Sequence, residues 1–126
     1  MKPILIDCSL TGGRGPAKKV YELCTDLKQD NIPYNLLTDT GFATKLRDLG
    51  IEPDHIVNTR LNDPTETIMN MFHYKIKNIQ YEFMVKIGAR MAGPYVSKKQ
   101  GKPYIIADGG LRARVVEKQS GREARV

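Results

Sequence analysis

The chain has 126 residues, 40% hydrophobic and 27% charged, with a formal net charge of +6, which is one domain's length and enough to bury a core without disulfides or metal. No apolar run approaches the roughly 18 residues of a membrane span, and Met1-Lys2-Pro3 opens directly onto an apolar triplet rather than a signal peptide. The expected compartment is the cytoplasm, a peripheral membrane contact stays open, and nucleic acid is not an expected partner, because the basic C-terminal stretch has no interleaved aromatics.

Ile4-Leu5-Ile6 is a short apolar run between Pro3 and a glycine-rich loop. It suits a central strand buried on both faces, as in a parallel sheet. Pro16 stands where the first helical position would fall. The helix it opens runs to about Gln29, with Ala17, Val20, Tyr21, Cys24 and Leu27 as its apolar stripe. Asn31 and Pro33 punctuate the connection to a second strand, Tyr34 to Thr38. A second helix follows from about Gly41 to Leu49, facing inward through Phe42, Leu46 and Leu49, with Gly50 as its C′ residue. A short third strand lies around His55 to Asn58.

Asp63, Pro64 and Glu66 form a helix-start signal, with Asp63 as N-cap, Pro64 at the first helical position and Glu66 completing a capping box. Ile68, Phe72, Ile76 and Ile79 share a face of that helix, flanked by Met69 and Met71 as core packing. The alternation of Phe83, Val85 and Ile87 reads as a fourth strand. A fourth helix, from Pro94 at the latest, directs Tyr95 and Val96 inward and stops at Gly101-Lys102-Pro103. Tyr104 to Ala107 is a fifth strand, and Asp108-Gly109-Gly110 turns out of it. The order β-α-β-α-β-α-β-α-β predicts an α/β fold, a Rossmann-like three-layer α/β/α arrangement around a parallel sheet of about five strands. Residues 1–111 form that domain. Residues 112–126 form a basic tail, helical or disordered, in which Arg112, Arg114, Lys118, Arg122 and Arg125 face only Glu117 and Glu123.

In such a sheet, ligands bind beyond the carboxyl ends of the strands, where residues 9–15 fall. Gly12, Gly13 and Gly15 would let backbone approach a phosphate closely, and Arg14 would add a charge-assisted contact at a helix N-terminus. The stretch is neither G-x-G-x-x-G, since Lys18 replaces the third glycine, nor a P-loop. On the residues alone it reads equally as an anion cradle and as a structural turn. Asp7 and Asp108 end predicted strands and suit a sugar hydroxyl, a metal or a base, or simply a cap or Asx-turn. Asp39 stands where an acid grips a ribose. Cys8 and Cys24 read as reduced, buried small side chains. His55 and His73 belong to no cluster with metal-ligand spacing, and no metal site is expected.

The stretch from Ile4 through Asp39, with "FATKLRDLGIEPDHIV" and "GPYVSKKQGKPYIIADGG", resembles the N-terminal domain of two-domain nucleotide-sugar glycosyltransferases of the GT-B type. The resemblance implies an acceptor-side domain taking part in sugar transfer from a nucleotide-diphosphate sugar, which would be a substrate and not a cofactor. It implies Gly12, Gly13, Arg14 and Gly15 at the phosphates, Asp108 and Gly109 as acceptor contacts, and a C-terminal donor-binding domain or subunit as partner. The position of that family's catalytic histidine holds Pro16, so no catalytic residue is assigned and enzymatic activity of the single domain is open. The alternatives are a non-catalytic nucleotide- or anion-binding regulatory module and a small interaction protein on the same fold.

Overall fold

The computed structural model describes residues 2–9, 14–60, 62–87 and 92–106. Five strands, β1 (Ile4–Cys8), β2 (Tyr34–Asp39), β3 (His55–Val57), β4 (Met84–Lys86) and β5 (Tyr104–Ile106), alternate with helices α1 (Arg14–Gln29), α2 (Thr40–Asp48), α3 (Thr65–Lys77) and α4 (Ala92–Lys99). The strands form one all-parallel sheet in the order β3-β2-β1-β4-β5. The expected Rossmann-like α/β architecture is therefore the observed one.

Period-2 alternation along each strand assigns its residues to two cores. Ile4, Ile6, Cys8, Leu36, Phe83, Val85 and Ile105 meet α1 and α2 through Val20, Leu23, Cys24, Leu27, Phe42 and Leu46. Leu5, Leu37, Val57 and Met84 meet α3 and α4 through Phe72, Ile76 and Val96, with Met69 and Met71 partly buried alongside. The chain thus covers one face first and the other second. The connection reverses direction across the sheet after β3, which leaves a crevice between the carboxyl ends of β1 and β4.

Helix α1 begins at Arg14, so Pro16 lies inside the first turn rather than at its first position. That turn's N–H groups have no intrahelical acceptor, and the imide nitrogen is tolerated there. Tyr21 is 46% exposed and Leu23 takes its expected place in the core. Val20 and Leu27 centre the stripe, so Leu23 falls within its edge and Tyr21 outside it. Leu49 is likewise exposed, as the residue capping α2, and Gly50 follows with φ +81°, the left-handed conformation expected of a C′ glycine. Asp63 does not cap α3. Its Oδ2 accepts from Arg60 N at 2.8 Å while its own N–H donates to Arg60 O, closing a turn, and Pro64 is the N-cap.

Both cysteines are free and buried. Burial, foremost, pushes the Cys8 thiol well up and the Cys24 thiol up to about 11. Neither carries appreciable thiolate at neutral pH. A chromogenic disulfide reagent should therefore find no fast-reacting thiol in the folded chain at pH 7 and two after denaturation. Rapid labelling of the native protein would contradict this packing.

Candidate functional site at the carboxyl ends of the central strands

Successive residues on the α3/α4 face of the sheet change character sharply towards the carboxyl edge. Leu5 and Met84 are register partners and apolar. Two residues on, the partners are Asp7 and Lys86, both with no exposed surface. Leu37 pairs with Asp7 on the other side, and Asp39 stands two residues beyond Leu37 on the same face of β2. Ser9, just past β1, is also fully buried. Asp7, Ser9, Asp39 and Lys86 therefore occupy the carboxyl ends of the three central strands, at the β1/β4 crevice.

The hydrogen bonds explain how a lysine is held there. Lys86 Nζ donates to Ser9 O at 2.7 Å and to Ile87 O at 3.0 Å. Ile87 N donates to Asp7 O at 2.9 Å. These carbonyls belong to chain leaving the sheet, where the ladder no longer supplies donors. The ammonium thus ties the end of β1 to the end of β4 across the switch point. Asp7 Oδ1 accepts from Ser9 N at 2.9 Å, the Asx-turn geometry. Asp7 Oδ2 and Ser9 Oγ, both buried, have no hydrogen-bond partner among the described residues. The Ser9 hydroxyl is close enough to favour the Asp7 carboxylate without reaching hydrogen-bond geometry.

Burial dominates the electrostatics. It raises the Asp7 carboxyl, with Lys86 and Ser9 pulling back and Asp39 adding to the rise. It lowers the Lys86 ammonium, against Asp7, Cys8 and Asp39, which support the charge. Each charge favours the ionised form of the other through space, and burial of both groups outweighs that support. No direct ion pair joins Asp7 and Lys86; Arg47 and Glu52 form one on the surface.

Of the residues expected to bind phosphate, Gly12 and Gly13 lie outside the described residues, as do Asp108 and Gly109. Arg14 and Gly15 are the first two residues of α1. A Cβ at Gly15 would meet nothing within 4 Å, so packing among the described residues does not require glycine there. Asp39 caps α2, its Oδ2 accepting from Phe42 N at 3.3 Å. That is a structural role in addition to its place in the cluster. Lys86 was absent from the sequence-based candidates, and Ser9 entered only as the first residue of the 9–15 loop, with no role assigned. A lysine inside the apolar run Phe83–Ile87 of a central strand was the available signal, since a lysine is almost never fully buried without a partner. A cavity of about 610 Å³ between α1 and α2, lined by Ala17, Lys18, Thr44, Lys45, Asp48 and Leu49, includes none of the strand-end polar residues.

The histidines are remote from this cluster in chain position and from each other. Burial lowers both, with Lys75 adding to the effect at His55, and Lys77 and Lys99 adding to it at His73. A histidine whose folded value lies below its unfolded one binds fewer protons in the fold across that window, so stability falls as pH falls. The denaturant midpoint should drop between about pH 7.5 and about pH 5.5, and His55→Asn with His73→Asn should flatten the drop. An unchanged slope in the double variant would remove the histidines as its cause.

The fold and this cluster define a class: a doubly wound α/β domain with charged side chains buried at its switch point. No family model matches the chain, and no curated protein matches it. Among solved structures it is similar to a universal stress protein from Archaeoglobus fulgidus, with 13% identity and a TM-score of 0.41 over 86% of this chain and 94% of that one. The glycosyltransferase resemblance is corrected: no family model and no curated protein supports it, and that solved structure is a universal stress protein. The physical reason is that strand, glycine-rich turn, helix and strand is the pattern any parallel doubly wound sheet requires. The quoted stretches carried the fold and nothing of the activity. Among the described residues no helix is long and apolar enough to cross a membrane.

Proposed function

We propose that this chain is a small binding module that takes a nucleotide or other phosphate-bearing anion at the β1/β4 switch point and performs no catalysis of its own. The observation that carries the reading is the buried Asp7–Ser9–Lys86 group at that crevice. A charged pair with no exposed surface is weak as a stabilising device, since apolar residues of similar volume serve as well or better. Its position at the strand ends is where open α/β sheets receive ligands. The N-terminus of α1, with Arg14 and Gly15, adds free N–H groups and the positive end of a 16-residue helix. Asp7 Oδ2 and Ser9 Oγ supply polar atoms without a described partner, suited to a ribose hydroxyl or a base edge.

The test is a titration of nucleoside mono-, di- and triphosphates into isotope-labelled protein, read at the amides of Ser9, Gly13 and Gly15 and at Lys86 Nζ. Saturable shifts confined to these positions support the reading, and the preferred base and phosphate count define the ligand. Unchanged spectra at millimolar nucleotide would overturn it.

A further inference from the structure

The other end of the α3/α4 layer carries a second concentration of charge. Helices run antiparallel to the strands they connect, so the last turns of α3 and α4 lie towards the amino edge of the sheet, away from the switch point. Between them is a cavity of about 370 Å³ lined by His73, Lys77, Val96, Lys99 and Gln100. Two helices thus contribute two ammonium groups and an imidazole to one concavity, and among the described residues no acid lines it.

Lysines at helix C-termini ordinarily complement the final carbonyls. Here backbone already does that work. Asn78 N and Ile79 N donate to Lys75 O and Ile76 O, while Gln100 N, Gly101 N and Lys102 N donate to Val96 O, Lys98 O and Ser97 O. Asn78 Nδ2 takes Tyr74 O. The Lys77 ammonium group is therefore not required as a cap.

The polar lining is also biased towards donors. Gln100 commits its Oε1 to the Tyr81 hydroxyl at 2.6 Å, which leaves its amide N–H₂ as the group with hydrogen-bonding capacity to spare. Tyr81 is buried and supports Lys102, whose Nζ stands 4.0 Å from the ring centroid. Lys102 in turn lies near enough to Lys2 for the two charges to oppose each other. Cationic groups from α3, from α4 and from the chain entering β1 and β5 thus gather along one edge.

We infer that the cavity between the last turns of α3 and α4 is a second anion site, which takes a small phosphate-bearing molecule on His73, Lys77, Lys99 and the Gln100 amide. Two ammonium groups and an imidazole on converging helices match a group carrying two or more negative charges. Val96 supplies an apolar wall for the rest of a small molecule. This site does not rest on the switch-point reading, and the two are far enough apart in the fold to be read separately.

Burial first, and then Lys77 and Lys99, hold His73 below the usual histidine range, and the amide of Gln100 carries no charge to counter the two lysines. A bound anion reverses that environment and favours the imidazolium. Binding should tighten as pH falls through the His73 titration.

The experiment is a titration of inorganic pyrophosphate into the full chain at about pH 6 and about pH 7.5, followed by the side-chain nitrogen resonances of His73 and the amides of Lys99 and Gln100. Saturable shifts at those groups are expected, weakened about tenfold in Lys77→Gln/Lys99→Gln, in keeping with the strength of charge-assisted bonds. His73→Gln should weaken binding more at the lower pH than at the higher, a comparison with the unaltered chain in which pyrophosphate's own protonation cancels, while leaving the fold intact by amide spectrum. Three results would overturn the inference: no response at His73, a response only at Ser9 and Gly15, or equal binding by the lysine double variant.

Discussion

Lys86→Met should cost the folded chain about 3 kcal/mol or more, within the range for breaking a buried charge couple. Methionine has nearly the length and volume of the lysine stem, so a cavity is not the cause. The loss comes from two sources. Ser9 O and Ile87 O lose an ammonium donor at 2.7 and 3.0 Å in a site with no exposed surface at Lys86, and an unsatisfied buried carbonyl is expensive. Asp7 loses the nearby cation that offsets its burial. Its carboxyl should move further up, and the variant should regain stability as the medium is acidified towards the new Asp7 value. Urea unfolding at several pH values checks both parts. A loss under about 1 kcal/mol would mean that the two carbonyls find other donors and that the lysine does not hold the switch point together.

The sequence made the scaffold legible because its signals are local and repeated. Ile4-Leu5-Ile6, Tyr34 to Thr38 and Tyr104 to Ala107 read as strands from apolar runs bounded by Pro and Gly, and the helices between them forced parallel pairing. Gly50 could be placed because a helix end followed by glycine has a specific backbone requirement, met at φ +81°. The errors lie where two local solutions compete. Asp63 had the spacing of an N-cap but closes a turn with Arg60. Tyr21 matched the 3- and 4-residue steps of α1, yet Leu23, on the opposite flank of the stripe, is the residue in the core.

The site was less legible than the scaffold for a different reason. Asp7 could be placed at a strand end from its position alone, but its partner is 79 residues away and joins it only through the β1–β4 pairing. Nothing in "FMVKIG" says which strand it lies beside. Once the order β2-β1-β4 is known, Lys86 must sit beside Asp7. The glycine-rich stretch drew attention by composition, while the charged group that distinguishes this crevice is carried by single residues in two separated strands.

The pair Asp7→Asn and Lys86→Met separates what the charges do for the fold from what they do for a ligand. Asp7→Asn alone keeps an oxygen to accept from Ser9 N at the Oδ1 position but leaves Lys86 without its principal counter-charge, and should cost about 3 kcal/mol. The combined variant removes both buried charges. Its loss should be smaller than the sum of the single losses by at least about 1 kcal/mol, the coupling expected of residues that share one electrostatic site. If the couple were kept for stability, the neutralised double variant would be the least stable of the three. If it is kept for binding, the double variant should fold with much of the stability of either single one and give no nucleotide-dependent shifts at Ser9 and Gly15. A double variant that is stable and still shows those shifts would move the ligand away from Asp7 and Lys86, leaving the N-terminus of α1 as what remains of the switch-point site.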